Sequence, residues 1–455
     1  MSFNYHNSPR PVLFATAVAA MGGFLFGYDT AVINGANSLL QKHFALDPRR
    51  DSVLIGLATA SAILGCIPGA MGAGFISDRF GRRRVLFFCA ILYAVAGILS
   101  AIPQTFAQFI AARILSGIAI GVSSMICPVY IAEIAPPQWR GRLGSLFQLG
   151  IVTGIFVTLF INGWIQRPAD AAWNAAFGWR WMLAAEAIPA LLFFGLLFPI
   201  PESPRWLIHV NRENEARATL HRIGGDDYAE AEIVEVKKVL QQETGSFREF
   251  FSRRYRLPLV IALVLMFGSQ LSGINAIMYY STEIFKNAAG NTSAAFNSSI
   301  WIGLVNFIAT FIAISLVDKA GRKPLLLVGN AVQVAALVAV GFIYRHNPHS
   351  SALLGFVILY IAAFAMAMGP LPWIVCSEIF PAKLRGRAMS VATFFIWSGC
   401  LIIAQTFPTL LKLIGPACTF WIYAACSATT FMLVLWLLPE TKGRTLEEIE
   451  RSFAG

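Results

Sequence analysis

Residues 74–84 read Gly-Phe-Ile-Ser-Asp-Arg-Phe-Gly-Arg-Arg-Arg, and residues 315–323 read Ser-Leu-Val-Asp-Lys-Ala-Gly-Arg-Lys. In each stretch an acidic residue lies at the end of a long apolar run. A glycine and several basic residues follow it. Asp78 corresponds to Asp318, an offset of 240 residues. A motif that recurs once at this spacing in a chain of 455 residues indicates two structural repeats.

The composition of the chain excludes a water-soluble protein. Hydrophobic residues make up 57% of it and charged residues only 13%, whereas soluble domains average roughly 25% charged residues. The net charge of +11 comes from basic residues in short loops, so we expect no nucleic-acid partner. The seven cysteines all lie in apolar runs without a paired motif, so we expect neither disulfides, nor a metal site, nor a cofactor.

Twelve apolar runs are long enough to cross a bilayer as helices. The fold class we predict is an all-α membrane protein with twelve transmembrane helices in two six-helix parallel repeats. Its divisions are an N-terminal bundle (1–200), cytoplasmic linker helices (201–256) and a C-terminal bundle with a short tail (257–455). The predicted spans, numbered 1 to 12 in chain order, lie near 11–35, 53–76, 85–102, 107–131, 143–165, 180–200, 257–284, 298–317, 324–343, 352–376, 388–411 and 417–438.

The two halves also repeat a second and a third segment in the same order. Residues 133–142 and 378–387 each contain a glutamate, a proline and Arg-Gly-Arg, while 201–205 and 439–444 each begin with Pro-Glu. Because each half has six spans, the repeats enter the membrane in the same direction. Parallel repeats place a binding site between the halves near the midplane and make rocking the natural motion.

The distribution of lysine and arginine predicts the orientation in the membrane. Loops that share a side with the termini carry twelve of these residues, against seven in the opposite short loops. Basic residues concentrate on the cytoplasmic side. We therefore expect both termini to be cytoplasmic, in a multi-pass protein of a cell membrane, with a bacterial inner membrane favoured by the compact loops.

The repeated motifs resemble those of the sugar porter family of the major facilitator superfamily, over essentially the whole chain. The resemblance rests on the two acid–glycine–arginine loops, the two Glu…Pro…Arg-Gly-Arg segments, the Pro-Glu segments and residues 270–280, Gln-Leu-Ser-Gly-Ile-Asn-Ala-Ile-Met-Tyr-Tyr. It implies transport of a monosaccharide, a hexose or a pentose, by alternating access, and no enzymatic reaction.

A sugar site needs amides, which donate and accept hydrogen bonds, and aromatic rings that cover the apolar face of the sugar. Residues of these types lie inside the predicted spans, and the resemblance places them around a central cavity. A helix–helix hydrogen bond is the alternative role of each single buried amide. The substrate-binding residues we predict are Phe26, Gln148, Gln270, Asn275, Asn306, Trp373 and Trp397.

Three positions depart from the family pattern. Ser269 stands where a second glutamine is frequent, and Ile155 and Ile396 replace further glutamines of some relatives. Fewer amides mean fewer hydroxyl contacts. The resemblance therefore does not define the sugar: xylose, glucose, galactose and a polyol such as inositol remain open.

Other residues are candidates for gates and for coupling between the halves. The resemblance makes Tyr279 and Tyr280 gating aromatics, with a membrane-interface belt as the alternative. The repeated charges, Asp78 with the arginines after it and Glu133 with Arg140, predict a network that bridges helices in one conformation and breaks in the other. Helix capping is the alternative. Its members are Asp78, Arg82, Glu133, Arg140, Asp318, Arg322, Glu378 and Arg385.

Asp29 and Arg113 lie within spans 1 and 4. A charge at the bilayer centre costs about 2.5–3.5 kcal/mol, so intramembrane ionisable residues indicate function. An aspartate that loses its arginine partner during rocking takes up a proton. We therefore predict a sugar–proton symporter that acts as a monomer in the lipid bilayer. A permanent structural ion pair, an uncoupled uniporter and a membrane sugar sensor are the alternatives.

Overall fold

The computed structural model describes residues 10–136, 139–167, 170–241, 251–288, 292–380 and 382–442, which are almost entirely helical and contain no strand. Eleven of the helices are long and apolar enough to cross a membrane. The last of them, Ala382–Leu437, is broken at Gly415, whose φ is 77°, and therefore supplies two spans. The predicted fold class, twelve membrane-spanning helices, is confirmed.

The first six spans have the following bounds. Spans 1 to 5 are Arg10–His43, Ser52–Phe80, Arg82–Ala101, Phe106–Ile134 and Arg140–Ile165. Span 6 runs through Ala171–Trp173, a π-helical turn at Asn174–Gly178, Trp179–Ala184 and Ala187–Leu196. It begins nine residues before the predicted start near 180, and the π-helical turn continues the helix through Asn174–Gly178.

The second half includes two interrupted spans. Span 7 consists of Arg256–Leu271 and Ile274–Ala288, and span 10 of Ala352–Met366 and Leu371–Glu378. Spans 8 and 9 are Thr292–Ala320 and Arg322–His346. Discontinuous helices expose backbone groups, which membrane proteins tolerate where the backbone lines a site or is buried in protein. The candidate sugar residues Gln270, Asn275 and Trp373 lie next to these breaks.

Close helix crossings in the first half use glycine. A methyl group on Gly117 of span 4 would overlap the carbonyl of Ala62 on span 2, and one on Gly27 of span 1 would overlap the carbonyl of Ile151 on span 5. Without a hydrophobic force between helices in lipid, close packing at small residues drives their association. These crossings fix span 1 against span 5 and span 4 against span 2, and thereby position Asp29 and Arg113.

Helices Pro204–His209, Glu213–Gly224 and Asp226–Gln241 follow span 6. The buried indole of Trp206 donates a 2.8 Å hydrogen bond to the carbonyl of Asp78, at the end of span 2. Arg217 pairs with Glu230, and Lys237 with Glu213 at 2.6 Å. The described linker helices therefore pack against the end of the bundle. We call this end of the bundle the linker face and the other end the opposite face.

Candidate transport site

Asp29 and Arg113 form a buried ion pair. Arg113 Nη2 lies 2.6 Å from Asp29 Oδ1, and the side chains are 2% and 0% exposed. Ser116, one turn along span 4, donates a hydrogen bond to the other carboxylate oxygen. The pair predicted from the two intramembrane charges is thus assembled across spans 1 and 4.

A third charged residue, absent from the sequence predictions, lies at this position. Glu186, between the two segments of span 6, is 1% exposed, and its carboxyl group is in hydrogen-bonding contact with that of Asp29. One of its oxygens and two nitrogens of Arg113 have no partner among the described residues. The rule that identified Asp29 would also have identified Glu186, since it lies inside a predicted span.

Two of the predicted sugar-contacting aromatics meet across the halves. The rings of Phe26 on span 1 and Trp397 on span 11 lie with their centroids 5.4 Å apart. Phe26 is three residues before Asp29 on the same helix. The aromatic pair and the ion pair are therefore neighbours along span 1.

The predicted amides Gln270 and Asn275 are hydrogen-bonded to each other across the break in span 7. Gln270 also donates to Ser269 Oγ at 3.0 Å. The serine that replaces a second glutamine thus orients the remaining one. Of the other departures, Ile155 is buried and Ile396 half-buried.

Three further predicted residues lie on separate spans. Gln148 on span 5 and Trp373 on span 10 are half-buried, and Asn306 on span 8 is buried. The amides of Gln148 and Asn306 make no hydrogen bond within the part of the chain that the structure describes. Unpaired amides of this kind are available to a hydroxylated ligand.

Tyr279 and Tyr280 are buried against span 11, not exposed to lipid. The hydroxyl of Tyr279 lies 3.5 Å from Cys400 Sγ, and that of Tyr280 donates to the carbonyl of Ala404 at 3.1 Å. Their burial disfavours a membrane-interface belt, and the gating role stays a prediction.

Polar contacts join the halves at the opposite face. Asn34 of span 1 donates to Ser281 Oγ at 2.7 Å and accepts from the backbone N–H of Thr282 at 3.0 Å. Gln405 of span 11 donates to the carbonyl of Val53 at 2.9 Å. The opposite face is therefore closed.

The charge network of the first half joins spans 2, 3 and 4 to the linker. Arg82 contacts Glu133 at 2.9 Å and Asp78 at 3.0 Å. Glu133 also accepts a 2.6 Å hydrogen bond from Ser203. The expected partner of Glu133 was Arg140, but Arg140 is exposed, because Arg82 and Ser203 already occupy the carboxylate of Glu133.

The second half repeats this arrangement. Arg322 contacts Glu378 at 2.9 Å, and Thr441 donates to Glu378 at 2.6 Å, as Ser203 does to Glu133. The turns also match: φ is 90° at Gly81 and 92° at Gly321, values that favour glycine. The side chains of Asp318 and Arg385, also predicted members, lie outside those that the structure describes.

Each turn is held by a glutamate from the following segment. Glu202 accepts hydrogen bonds from the backbone N–H groups of Arg82 and Arg83, and Glu440 from those of Arg322 and Lys323. Burial raises the pKa of Glu202 above its usual range despite these bonds. At Glu440 burial also acts upward, but the backbone donors outweigh it and hold the pKa of this carboxyl below its usual range.

The two glutamates should have opposite pH signatures. The contribution of Glu440 to folding is complete above its unfolded pKa of about 4.3 and is lost as pH falls through the lower folded value. Glu440→Gln should therefore destabilise the fold at pH 7 by roughly 1 kcal/mol and lower its melting temperature, and this difference should shrink as pH falls below about 4. For Glu202→Gln the wild type should instead lose stability relative to the variant as pH rises. Thermal unfolding from about pH 3 to 8 measures both, and parallel slopes would contradict the assignment.

A cavity of about 320 Å³ lies elsewhere, at the linker face between the start of span 1, the end of span 6 and helix Glu213–Gly224. None of its lining residues is a predicted substrate contact. The candidate site is therefore defined by the polar and aromatic groups described above.

Two six-span halves with twin charge networks, and polar and aromatic groups between them, define a membrane transporter. Comparison with known families agrees. The profile of the family described as "Sugar (and other) transporter" matches residues 15–453. The chain belongs to this sugar transporter family, a family of transporters and not of enzymes.

Individual relatives extend over nearly the full length. The arabinose-proton symporter of Bacillus subtilis is 40% identical over 97% of this chain and 94% of its own. The D-xylose-proton symporter of Escherichia coli is 37% identical over 99% and 97%. The inward-open structure of the E. coli xylose transporter XylE superposes with a TM-score of 0.87 at 35% identity, over 97% of this chain and 99% of that one. XylE bound to 6-bromo-6-deoxy-D-glucose gives 0.81 at 35% identity, over 98% and 99%.

Proposed function

We propose that the protein is a symporter that moves one monosaccharide, a pentose or a hexose, together with a proton. The observation that carries the proposal is the buried Asp29–Arg113 pair three residues from the Phe26–Trp397 contact, on the helix that joins both. The proton–sugar symporters among the relatives support it.

The proton step follows from the charges at this site. Asp29, Glu186 and Arg113 carry two potential negative charges and one positive charge in a site closed to water. Two carboxyl groups in hydrogen-bonding contact cannot both ionise easily, so one proton makes the set neutral. When Arg113 moves from Asp29, the aspartate binds a proton. When the contact re-forms, the proton leaves.

The sugar lies between the halves, held by Gln148, Gln270, Asn275 and Asn306 through its hydroxyls and by the rings of Phe26, Trp373 and Trp397. A site built of paired donors and acceptors discriminates strongly, because an analogue that lacks a hydroxyl leaves a buried amide unpaired. The unpaired amides of Gln148 and Asn306 support this assignment.

The halves, residues 1–200 and 257–455, rock about this site as a monomer. The linker face is the cytoplasmic one, with both termini, and the membrane is a bacterial inner membrane. The closed contacts of Asn34 and Gln405 indicate a state that opens to the linker face. In the other state these contacts break, Tyr279 and Tyr280 move with span 7, and the two halves approach each other at the linker face.

An uncoupled uniporter would have no use for Asp29 and Glu186, which is why symport is the better proposal. A membrane sugar sensor would bind a sugar at the same site but would not carry it across the membrane.

A panel of labelled sugars tests the substrate class. Protein in liposomes preloaded with each unlabelled sugar should exchange at least one pentose or hexose at rates tenfold or more above empty liposomes. If only a cyclitol is exchanged, the substrate is a cyclitol and not a monosaccharide. If neither a carbohydrate nor a cyclitol is exchanged, the proposed transport function is refuted.

A further inference from the structure

Span 9 carries two amides in its buried face. Asn330 is 1% exposed and Gln333 is 0% exposed. Asn330 donates to the carbonyl of Leu326 at 3.0 Å and contacts Met368 Sδ at 3.4 Å. For Gln333, neither the nitrogen nor the oxygen of the amide has a partner among the described residues. A buried amide with neither group paired is costly and calls for a physical explanation.

The neighbouring span 10 has backbone carbonyls that lack their regular helix donors at its break. The N–H groups of Ala367 and Gly369 both donate to the carbonyl of Phe364, at 3.1 and 2.9 Å. The carbonyls of Ala363 and Ala365 thereby lose their regular helix donors, and that of Met366 has none because Pro370 lacks an N–H. Free acceptors thus accumulate in one turn, a few residues before Trp373.

Span 9 passes directly beside these acceptors. A methyl group built on Gly329 would overlap the side chain of Ala367 and would lie 3.1 Å from the carbonyl of Ala363. Gln333 is four residues from Gly329, so it lies on the same helix face one turn further on. An unpaired amide and carbonyls without their regular helix donors therefore stand on adjoining helices, about one helical turn apart, and the Gln333 amide bonds to none of the described residues in this state.

We infer that Gln333 is a positioning residue that bonds to the broken turn of span 10 in the other access state, after the opposite face has opened. The amide then gains a carbonyl partner that it lacks here, which favours the other state and fixes the turn that carries Trp373. A small shift suffices, because packed helices move between discrete arrangements. The inference rests on the alternating-access function proposed above.

Gln333→Met tests it, because methionine keeps the length of the side chain and removes the amide. In the present state this relieves an unpaired group, so the melting temperature without sugar should rise by about 2 °C or more. The other state loses a hydrogen bond. Uptake should therefore slow about tenfold, the change that 1.4 kcal/mol of relative destabilisation produces.

A spin-label distance between Ser145→Cys and Ser390→Cys, at the linker-face ends of spans 5 and 11, reports the state. With Gln333→Met the long, linker-open distance should gain population. Val328→Met is the matched control, because Val328 is 64% exposed on the same helix, and it should leave all three readouts unchanged.

Two results would overturn the inference. A lower melting temperature for Gln333→Met would mean that the amide is already paired in this state, by a water molecule for instance. A higher melting temperature with unchanged spin-label distances and unchanged uptake would mean that the amide of Gln333 is unpaired in both states. If the wild type transports no sugar, the proposed function fails, while melting and distances still decide the role of Gln333.

Discussion

Asp29→Asn is expected to abolish sugar accumulation and to leave sugar exchange intact. Asparagine keeps the shape of the side chain and can hydrogen-bond to Ser116 and Arg113, but it cannot bind and release a proton. A membrane potential of 100 mV supplies about 2.3 kcal/mol per proton, enough for roughly fifty-fold accumulation. The variant should therefore equilibrate its sugar at a ratio near one.

Accumulation and counterflow in the same liposomes separate the two activities. Asp47→Asn, at an exposed position in the loop between spans 1 and 2, is the control and should behave as wild type. If Asp29→Asn still accumulates sugar, Asp29 does not couple sugar transport to the proton. Loss of both activities, with an unchanged melting temperature, would make the residue part of sugar binding instead.

Gly56→Leu is expected to stop transport without unfolding the protein. A methyl group on Gly56 of span 2 would overlap the backbone carbonyl of Gln405 on span 11. Neither backbone can yield as a flexible side chain would, so spans 2 and 11 cannot close at the opposite face. The variant should be trapped open at that face, with uptake reduced a hundredfold or more.

Gly74→Leu is the matched control on the same helix, since a methyl group there meets no atom within 4 Å. Uptake and labelling of a cysteine placed at Ala36, which is 0% exposed on span 1, measure the effect. Gly56→Leu should make this position reactive, and Gly74→Leu should leave it protected. Uptake at the wild-type rate by Gly56→Leu would show that spans 2 and 11 need not approach so closely.

The sequence predicted much of the fold because its signals are local or repeated. Apolar runs define spans, and the recurrence of Asp78-to-Arg84 at Asp318-to-Lys323 defines two halves. The glycine of each repeat adopts a positive φ, which explains why both copies need it. The start of span 6 was predicted nine residues too late, because apolar composition alone does not show that a π-helical turn continues the helix through Asn174–Gly178.

Partners between spans were harder to predict than the residues themselves. Asp29 and Arg113 could be paired since they are rare charges in apolar segments, yet Glu186, marked by the same signal, was missed. Glu133 was assigned to Arg140 from nearness in sequence, whereas the fold brings Arg82 to it through the turn at Gly81. Which basic residue pairs with a given carboxylate depends on helix packing and on the access state. Neither can be read from a sequence motif.

The most direct test of the account is sugar-driven proton movement in wild-type protein. Liposomes containing a pH-sensitive dye, at equal pH on both sides, receive the sugar identified by exchange. We predict that sugar influx acidifies the lumen, that a protonophore abolishes this signal, and that Asp29→Asn takes up sugar without it. Sugar entry by the wild type with no accompanying change in internal pH would contradict symport.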